Sequence, residues 1–127
     1  NHPKIYQAYT NRGFSKVKIG DYQGAIIDYD KSIDINGDNF HAYYNRGNLK
    51  GKYLGDYYGA IYDYNKALVM HPNHSKKYQI LNKRGLLKIK IGDKKGGCSD
   101  YKIAALLGDR GRKYWLKSEQ GAWCRNI

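Results

Sequence analysis

Tyr43-Tyr44-Asn45-Arg46-Gly47, followed by Gly55-Asp56-Tyr57-Tyr58-Gly59-Ala60-Ile61-Tyr62-Asp63-Tyr64, is the stretch that decides the fold, because it occurs three times. Upstream it reads Tyr9-Thr10-Asn11-Arg12-Gly13, then Gly20-Asp21-Tyr22-Gln23-Gly24-Ala25-Ile26-Ile27-Asp28-Tyr29. Downstream it reads Leu81-Asn82-Lys83-Arg84-Gly85, then Gly92-Asp93-Lys94-Lys95-Gly96-Gly97-Cys98-Ser99-Asp100-Tyr101. Gly13, Gly47 and Gly85 are spaced by 34 and 38 residues, and Tyr29, Tyr64 and Tyr101 by 35 and 37. A period of this length is a supersecondary unit repeated.

Each unit reads as two helices. Gly13, Gly47 and Gly85 fall mid-helix, where glycine costs about 1 kcal/mol against alanine and is tolerated when a neighbouring helix must come close; Ala25 and Ala60 are the small partners. Gly20-Asp21, Gly55-Asp56 and Gly92-Asp93 read as a helix stop followed by a helix start, glycine at the C-cap and aspartate at the N-cap. Asn36-Gly37-Asp38 and Pro72 end the first two units.

These features resemble the tetratricopeptide repeat family over nearly the whole chain. The Asn-Arg-Gly form of the first helix resembles bacterial members, and the ending, Gly97-Cys98-Ser99-Asp100-Tyr101 with Gly121-Ala122-Trp123-Cys124-Arg125-Asn126, resembles a cyanobacterial group. The resemblance implies an all-α fold: a right-handed superhelical stack of three helix–turn–helix repeats with a C-terminal capping helix. The expected organisation is one domain, 1–127, with repeats at about 5–38, 39–73 and 74–108 and a cap at about 110–124. Seven helices are expected near 5–19, 22–35, 40–54, 57–70, 75–91, 94–107 and 110–124, the fifth capped by Asn73 or Ser75. The family pattern is departed from at Leu81, at Arg12, Arg46 and Arg84, at Lys16, Lys50 and Lys88, and at Gly97, which stands where Ala25 and Ala60 do; weaker packing is expected of the third unit. Asn1-His2-Pro3 resembles His71-Pro72-Asn73 and reads as the tail of a preceding unit.

The composition is globular, with 41% hydrophobic residues, and no apolar run is long enough to span a bilayer. Arg and Lys number 23 against 11 Asp and Glu, a formal charge of +12, which attracts anionic partners of any kind. No nucleophile elbow, phosphate-binding loop or Cys-x-x-Cys is present, so no enzyme and no cofactor is expected. His71 and His74 flank Pro72 in a turn and are not read as metal ligands. Fourteen Tyr and two Trp could stack on bases, but tyrosines fixed by the repeat are more simply packing residues.

Charge placement is more informative. Residues 4–20, 39–55 and 73–92, the three first helices, contain no Asp or Glu. In the family the first helices line the concave face, so the resemblance implies a positive or neutral groove suited to an acidic segment of a peptide or protein. Helical spacing gives the exposed face as Gln7, Thr10, Asn11, Phe14 and Lys18 in the first unit. The second unit contributes His41, Tyr44, Asn45, Asn48 and Lys52, and the third Gln79, Asn82, Lys83, Leu86 and Lys90. Asn and Gln suit peptide backbones because they donate and accept. Chaperone-binding relatives grip a terminal carboxylate with Lys and Asn; Asn11, Asn45 and Asn48 match, but Thr10 and Tyr44 stand where Lys is needed, so no such clamp is expected. Nucleic acid or another polyanion on the basic surface is the alternative partner, and self-association through the exposed face of the first repeat a further one.

Arg12 with Asp28, Arg46 with Asp63 and Arg84 with Asp100 recur in register. They read either as a ligand-binding row or as ion pairs joining packed helices; the second reading is favoured because a partly buried Arg needs a partner. Cys98 replaces Ile26 and Ile61, positions that face the next helix. Consecutive helices joined by a short loop pack antiparallel, which brings Cys98 to within about 6 Å axially of Cys124, either as two small buried residues or as a disulfide.

Overall fold

The computed structural model describes residues 4–127; the expected tail of a preceding unit, Asn1–Pro3, lies outside the described residues. Among the described residues there are eight helices and no strand: α1 (Ile5–Lys18), α2 (Tyr22–Ile35), α3 (Phe40–Lys52), α4 (Tyr57–Met70), α5 (Lys77–Lys90), α6 (Lys94–Leu106), α7 (Arg110–Lys117) and α8 (Ala122–Arg125). They form two compact units, Asn1–His71 and Pro72–Ile127.

The first unit holds two antiparallel hairpins, α1–α2 and α3–α4. Each second helix starts the same way: the Asp21 and Asp56 carboxylates accept from the backbone N–H of Gly24 and Gly59 at 3.0 and 2.9 Å, satisfying a donor that has no partner within the helix. The turns before them need glycine, since Gly20 and Gly55 sit at φ +84° and +68°. Inside each hairpin a tyrosine ring lies flat on the first helix. A Cβ at Gly13 would be 2.7 Å from the Tyr29 ring, and one at Gly47 3.0 Å from that of Tyr64. Ala25, Tyr29 and Leu49 form the buried centre, with Val17, Tyr22 and Ile26 around it.

The two hairpins are also locked by a small polar knot. The Ser32 hydroxyl donates to the Tyr6 carbonyl at 2.7 Å and accepts from the Asn39 amide at 2.6 Å, while Asn39 caps α3 by accepting from the Ala42 N–H. These groups are buried and hydrogen-bonded, so their burial carries little penalty. Gly47 and Gly55 are one residue further apart than Gly13 and Gly20, and the extra residue is absorbed after α3. Leu49 accepts from both Tyr53 and Leu54, and α3 ends at Lys52, two residues before the expected end.

The second unit is one hairpin, α5–α6, closed by α7 and α8. Its packing corrects an expectation. Gly97 does not loosen the hairpin; a Cβ there would lie 2.6 Å from the Gly85 carbonyl oxygen. Two glycines facing each other bring α5 and α6 into backbone contact, closer than an alanine permits.

Two helix boundaries differ from expectation. α5 begins at Lys77, and neither Asn73 nor Ser75 caps it; His74 does the work instead, accepting from Lys76 N–H on its ring and from Lys77 N–H on its carbonyl. The expected single cap helix, 110–124, is broken at Ser118, whose backbone is extended. Ser118 bonds the Trp115 carbonyl through its hydroxyl. Gly121 sits so close that a Cβ would strike the same carbonyl. Arg125 then donates to the carbonyls of Leu116 and Ser118, each at 2.7 Å, satisfying acceptors at the end of α7. The chain thereby folds back, and α8 lies on α6.

Cys98 and Cys124 are joined by a disulfide with their Cα atoms 5.3 Å apart, within the range such a bond spans. Around it Tyr101, Trp115, Leu116 and Ile89 pack. The Arg112 guanidinium lies 3.7 Å from the Tyr101 ring centre and 4.9 Å from that of Trp115, a cation–π stack.

Candidate functional site

Three recurrent Arg–Asp pairs join first to second helices. Arg12 grips Asp28 with Nε and an Nη at 2.8 and 2.7 Å. Arg46 grips Asp63 at 3.0 and 2.8 Å, and Arg84 grips Asp100 at 2.8 and 2.7 Å. All three contacts are bidentate, the strong geometry for this pair. A second cation joins each: Lys16, Lys50 and Lys88 approach the same carboxylates at 3.1, 3.6 and 3.3 Å. Sequence reasoning missed these lysines, although Arg-x-x-x-Lys at i, i+4 recurs in all three first helices and places both cations on one face.

The electrostatics follow from this. The Asp28 carboxyl is held below its ordinary range by the hydrogen bond from Arg12, against the opposing effect of burial and with help from Lys16. Burial works against the charge of Arg46, but Asp63 and Asp30 outweigh it and raise its pKa. Burial also pushes the Tyr29 hydroxyl up to about 12 and that of Tyr64 higher still, so neither titrates near neutrality. The Asp carboxylates are fully engaged within the hairpins, which makes the pairs structural.

The sequence-predicted binding face divides into three groups. Gln7, Asn11, Phe14 and Lys18 on α1, and His41 and Lys52 on α3, are exposed. Asn45 and Asn48 are half-buried; Asn48 accepts from the Tyr64 hydroxyl and so is tied to the second helix of its own hairpin. In the second unit Gln79, Lys83, Leu86 and Lys90 are exposed on α5.

Thr10, Tyr44 and Asn82 are corrected. They occupy one repeat position, and it packs. Thr10 is buried beside Ser32 at 2.6 Å. Tyr44 is buried, stacked at 5.9 Å on Phe40 and tilted against Tyr64. Asn82 is taken by the cap, donating to Asp109 and accepting from Arg112 at 2.8 Å. The 3.6-residue wheel placed them on the edge of the polar face; the neighbouring helix covers that edge.

Two lysines of the face lie over rings, Lys18 4.6 Å from the centre of Phe14 and Lys52 5.3 Å from that of Tyr53. The surface of α1 and α3 in the first unit thus offers amide groups, two cations and apolar ring surface, with no carboxylate on either helix. Such a surface suits a negatively charged, partly apolar chain. Among the described residues no cluster of His, Cys, Asp and Glu could hold a metal ion, and no helix is long and apolar enough to cross a membrane.

Residues 6–39, the first hairpin, match the Tetratricopeptide repeat family. No curated protein sequence matches the chain. Among solved structures, a tetratricopeptide repeat protein from Parabacteroides merdae is 26% identical with a TM-score of 0.78 over 98% of this chain, which spans 44% of that protein's length. The N-terminal domain of stress-induced protein-1 from C. elegans is 17% identical, with a TM-score of 0.82 over 92% of this chain and 96% of that one. The second tetratricopeptide domain of human RPAP3, solved in complex with an HSP70 peptide, is 21% identical with a TM-score of 0.78, covering 97% and 98%. Repeated hairpins, glycine-seated tyrosines and these likenesses converge: the chain has the all-α helical-hairpin fold of tetratricopeptide repeat domains.

Proposed function

We propose that this protein is a non-enzymatic interaction module that binds an acidic, extended or helical segment of another protein along the polar face of α1 and α3. The observation that carries this reading is the complete absence of Asp and Glu from α1 and α3, combined with the exposed Gln7, Asn11 and Lys18 of α1 and Lys52 of α3. Neighbours of the same fold that hold peptides support the class of function. The recurrent Asn-Arg-Gly and the likeness to the Parabacteroides merdae protein support a bacterial type of repeat.

The segment we propose is internal rather than a free C-terminus. Thr10 and Tyr44 stand where a carboxylate clamp needs lysine, and both are buried, so that position cannot reach a ligand. Nucleic acid remains the second reading on net charge alone.

A peptide array probed with the full chain tests the proposal. Hits should be enriched in Asp and Glu, and the Asn11→Ala, Asn45→Ala, Lys52→Ala triple variant should lose them while melting at nearly the same temperature, since none of the three is buried and polar substitutions at such positions cost little. Unchanged binding by the triple variant would place the site elsewhere. A steep linear fall of log affinity for a DNA or RNA oligomer with log salt, with no peptide hits, would favour the second reading.

A further inference from the structure

We propose that the second unit carries a binding surface of its own, for single-stranded nucleic acid, at the end where α6 begins. The charge is divided unequally between the two units. Residues 72–127 hold fourteen Lys and Arg against four Asp and Glu, a formal +10, whereas residues 1–71 hold nine against seven, a formal +2. Three of the four acids are committed within the unit. Asp93 caps α6 by accepting from the Gly96 N–H, Asp109 caps α7 and accepts from Asn82, and Asp100 is held by Arg84 and Lys88.

The fold gathers the cations at one end. The α5–α6 hairpin turns at residues 91–93, with Lys90 on one side of the turn and Lys94 and Lys95 on the other, all three exposed. Ile89, Cys98, Trp115 and Leu116 pack together, so the last turn of α7 lies at the same end. Lys117 follows Leu116 there, and Arg125 is tied to it through the Leu116 and Ser118 carbonyls; both are exposed. The helix does not explain the lysines. Tyr22-Gln23 and Tyr57-Tyr58 hold the equivalent places in α2 and α4, and cations in a first turn oppose the helix dipole. Their effect is to strengthen a positive field over an open surface.

Chemistry selects the occupant. Four of the five cations are lysines, which meet phosphates as point charges and position a backbone without reading its sequence. Trp123 lies edge-on to Trp115 at 6.3 Å and keeps 40% of its surface exposed, a ring on which an unpaired base can stack. A duplex hides the faces of its bases, so the ring favours a single strand. An anionic membrane fits less well. Leu106, the most exposed large apolar residue of the unit, stands at the other end of α6, about 17 Å along the axis from Lys95, whereas binding in a membrane interface needs apolar and basic groups side by side. The surface gives the nucleic-acid reading a place and does not depend on the polar face of α1 and α3.

The probe is a fluorescein-labelled oligodeoxythymidylate of about 15 nucleotides, titrated with the full chain by anisotropy at several salt concentrations. Log affinity should fall linearly with log salt at a slope of about −3 to −4, as five cations on a single strand give. The Lys94→Gln, Lys95→Gln variant should flatten that slope by about 1.4 and bind at least about tenfold more weakly at low salt, with no loss of melting temperature. Trp123→Leu should weaken binding about fivefold or more at an unchanged slope. Lys31→Gln with Lys66→Gln, in the first unit, should change neither quantity. No binding, an unchanged slope in the Lys94→Gln, Lys95→Gln variant, or equal affinity for an oligoglutamate of the same charge would overturn the proposal. So would tighter binding of duplex DNA, or displacement of the oligonucleotide by phosphatidylserine vesicles at equal charge concentration. Loss of binding in the Asn11→Ala, Asn45→Ala, Lys52→Ala variant would also overturn it, by moving the strand to α1 and α3, whereas retention there supports a separate surface whatever the peptide array shows.

Discussion

The two units solve one problem with different materials. A lone helical hairpin cannot bury its apolar face, so something must cover it. In the first unit a second hairpin does this, through the Leu49 cluster and the knot of Tyr6, Ser32 and Asn39. In the second unit a short, broken cap does it, and compensates for its small size with two tryptophans, a stacked arginine and a disulfide. Non-covalent repetition and covalent closure thus stand side by side in one chain. Both units carry the Arg–Asp–Lys triad; what differs is the cover, a second hairpin in the first unit and a disulfide-closed cap in the second.

The largest effect that sharpens this contrast is Asp63→Ala. It takes the bidentate partner from Arg46, which is mostly buried and keeps only its single contact with Asp30, and should cost about 3 kcal/mol. Asp28→Ala should cost clearly less, because Arg12 can turn to water. Equal losses in denaturant melts would mean that burial of the arginine does not set the cost. Next comes the disulfide: the Cys98→Ala, Cys124→Ala variant should lose about 2–4 kcal/mol, read as destabilisation of near-UV signal from Trp115 and Trp123. Two free thiols in the untreated protein would remove covalent closure from the account. Gly97→Ala should follow at about 1–3 kcal/mol from overpacking against Gly85 and Ile89, whereas Ala60→Ser in the first unit should be milder.

The smallest expected effect is in acid. Asp28 has a lower pKa in the folded protein than its unfolded value of about 3.9. Its contribution is therefore complete above about pH 4 and is lost as pH falls through the folded value. The stability gap between the parent and Asp28→Asn should be constant from neutrality down to about pH 4 and narrow below it. A gap that narrows instead as pH rises above neutrality would contradict the assignment.

The repeat made most of the fold legible. Gly-Asp-x-x-Gly announced each second helix, and the structure explains the last glycine as well as the first two residues: a Cβ on Gly24, Gly59 or Gly96 would strike the capping aspartate. What was not legible depended on neighbours. Gly97 read as a defect because its partner, Gly85, acts through a backbone contact that no pattern encodes. The break at Ser118 was hidden in an apolar pattern that ran on to Cys124. The polar face was read from helical spacing, which serves for residues at its middle, such as Asn11 and Lys52. It fails at the rim, where Thr10, Tyr44 and Asn82 are covered by what packs beside them. The lysines of the ion-pair triads were visible as a spacing but were read only as departures from a family pattern.

The acidic segment we propose for the acid-free polar face of α1 and α3 is read out by backbone amide shift mapping, with the strongest acidic peptide from the array titrated into the isotope-labelled chain. Saturable changes should concentrate at Gln7, Asn11, Lys18, Asn45 and Lys52, with little change along α2 and α4. Changes confined to α2, α4 or the cap helices, with Asn11 and Asn45 unmoved, would contradict it.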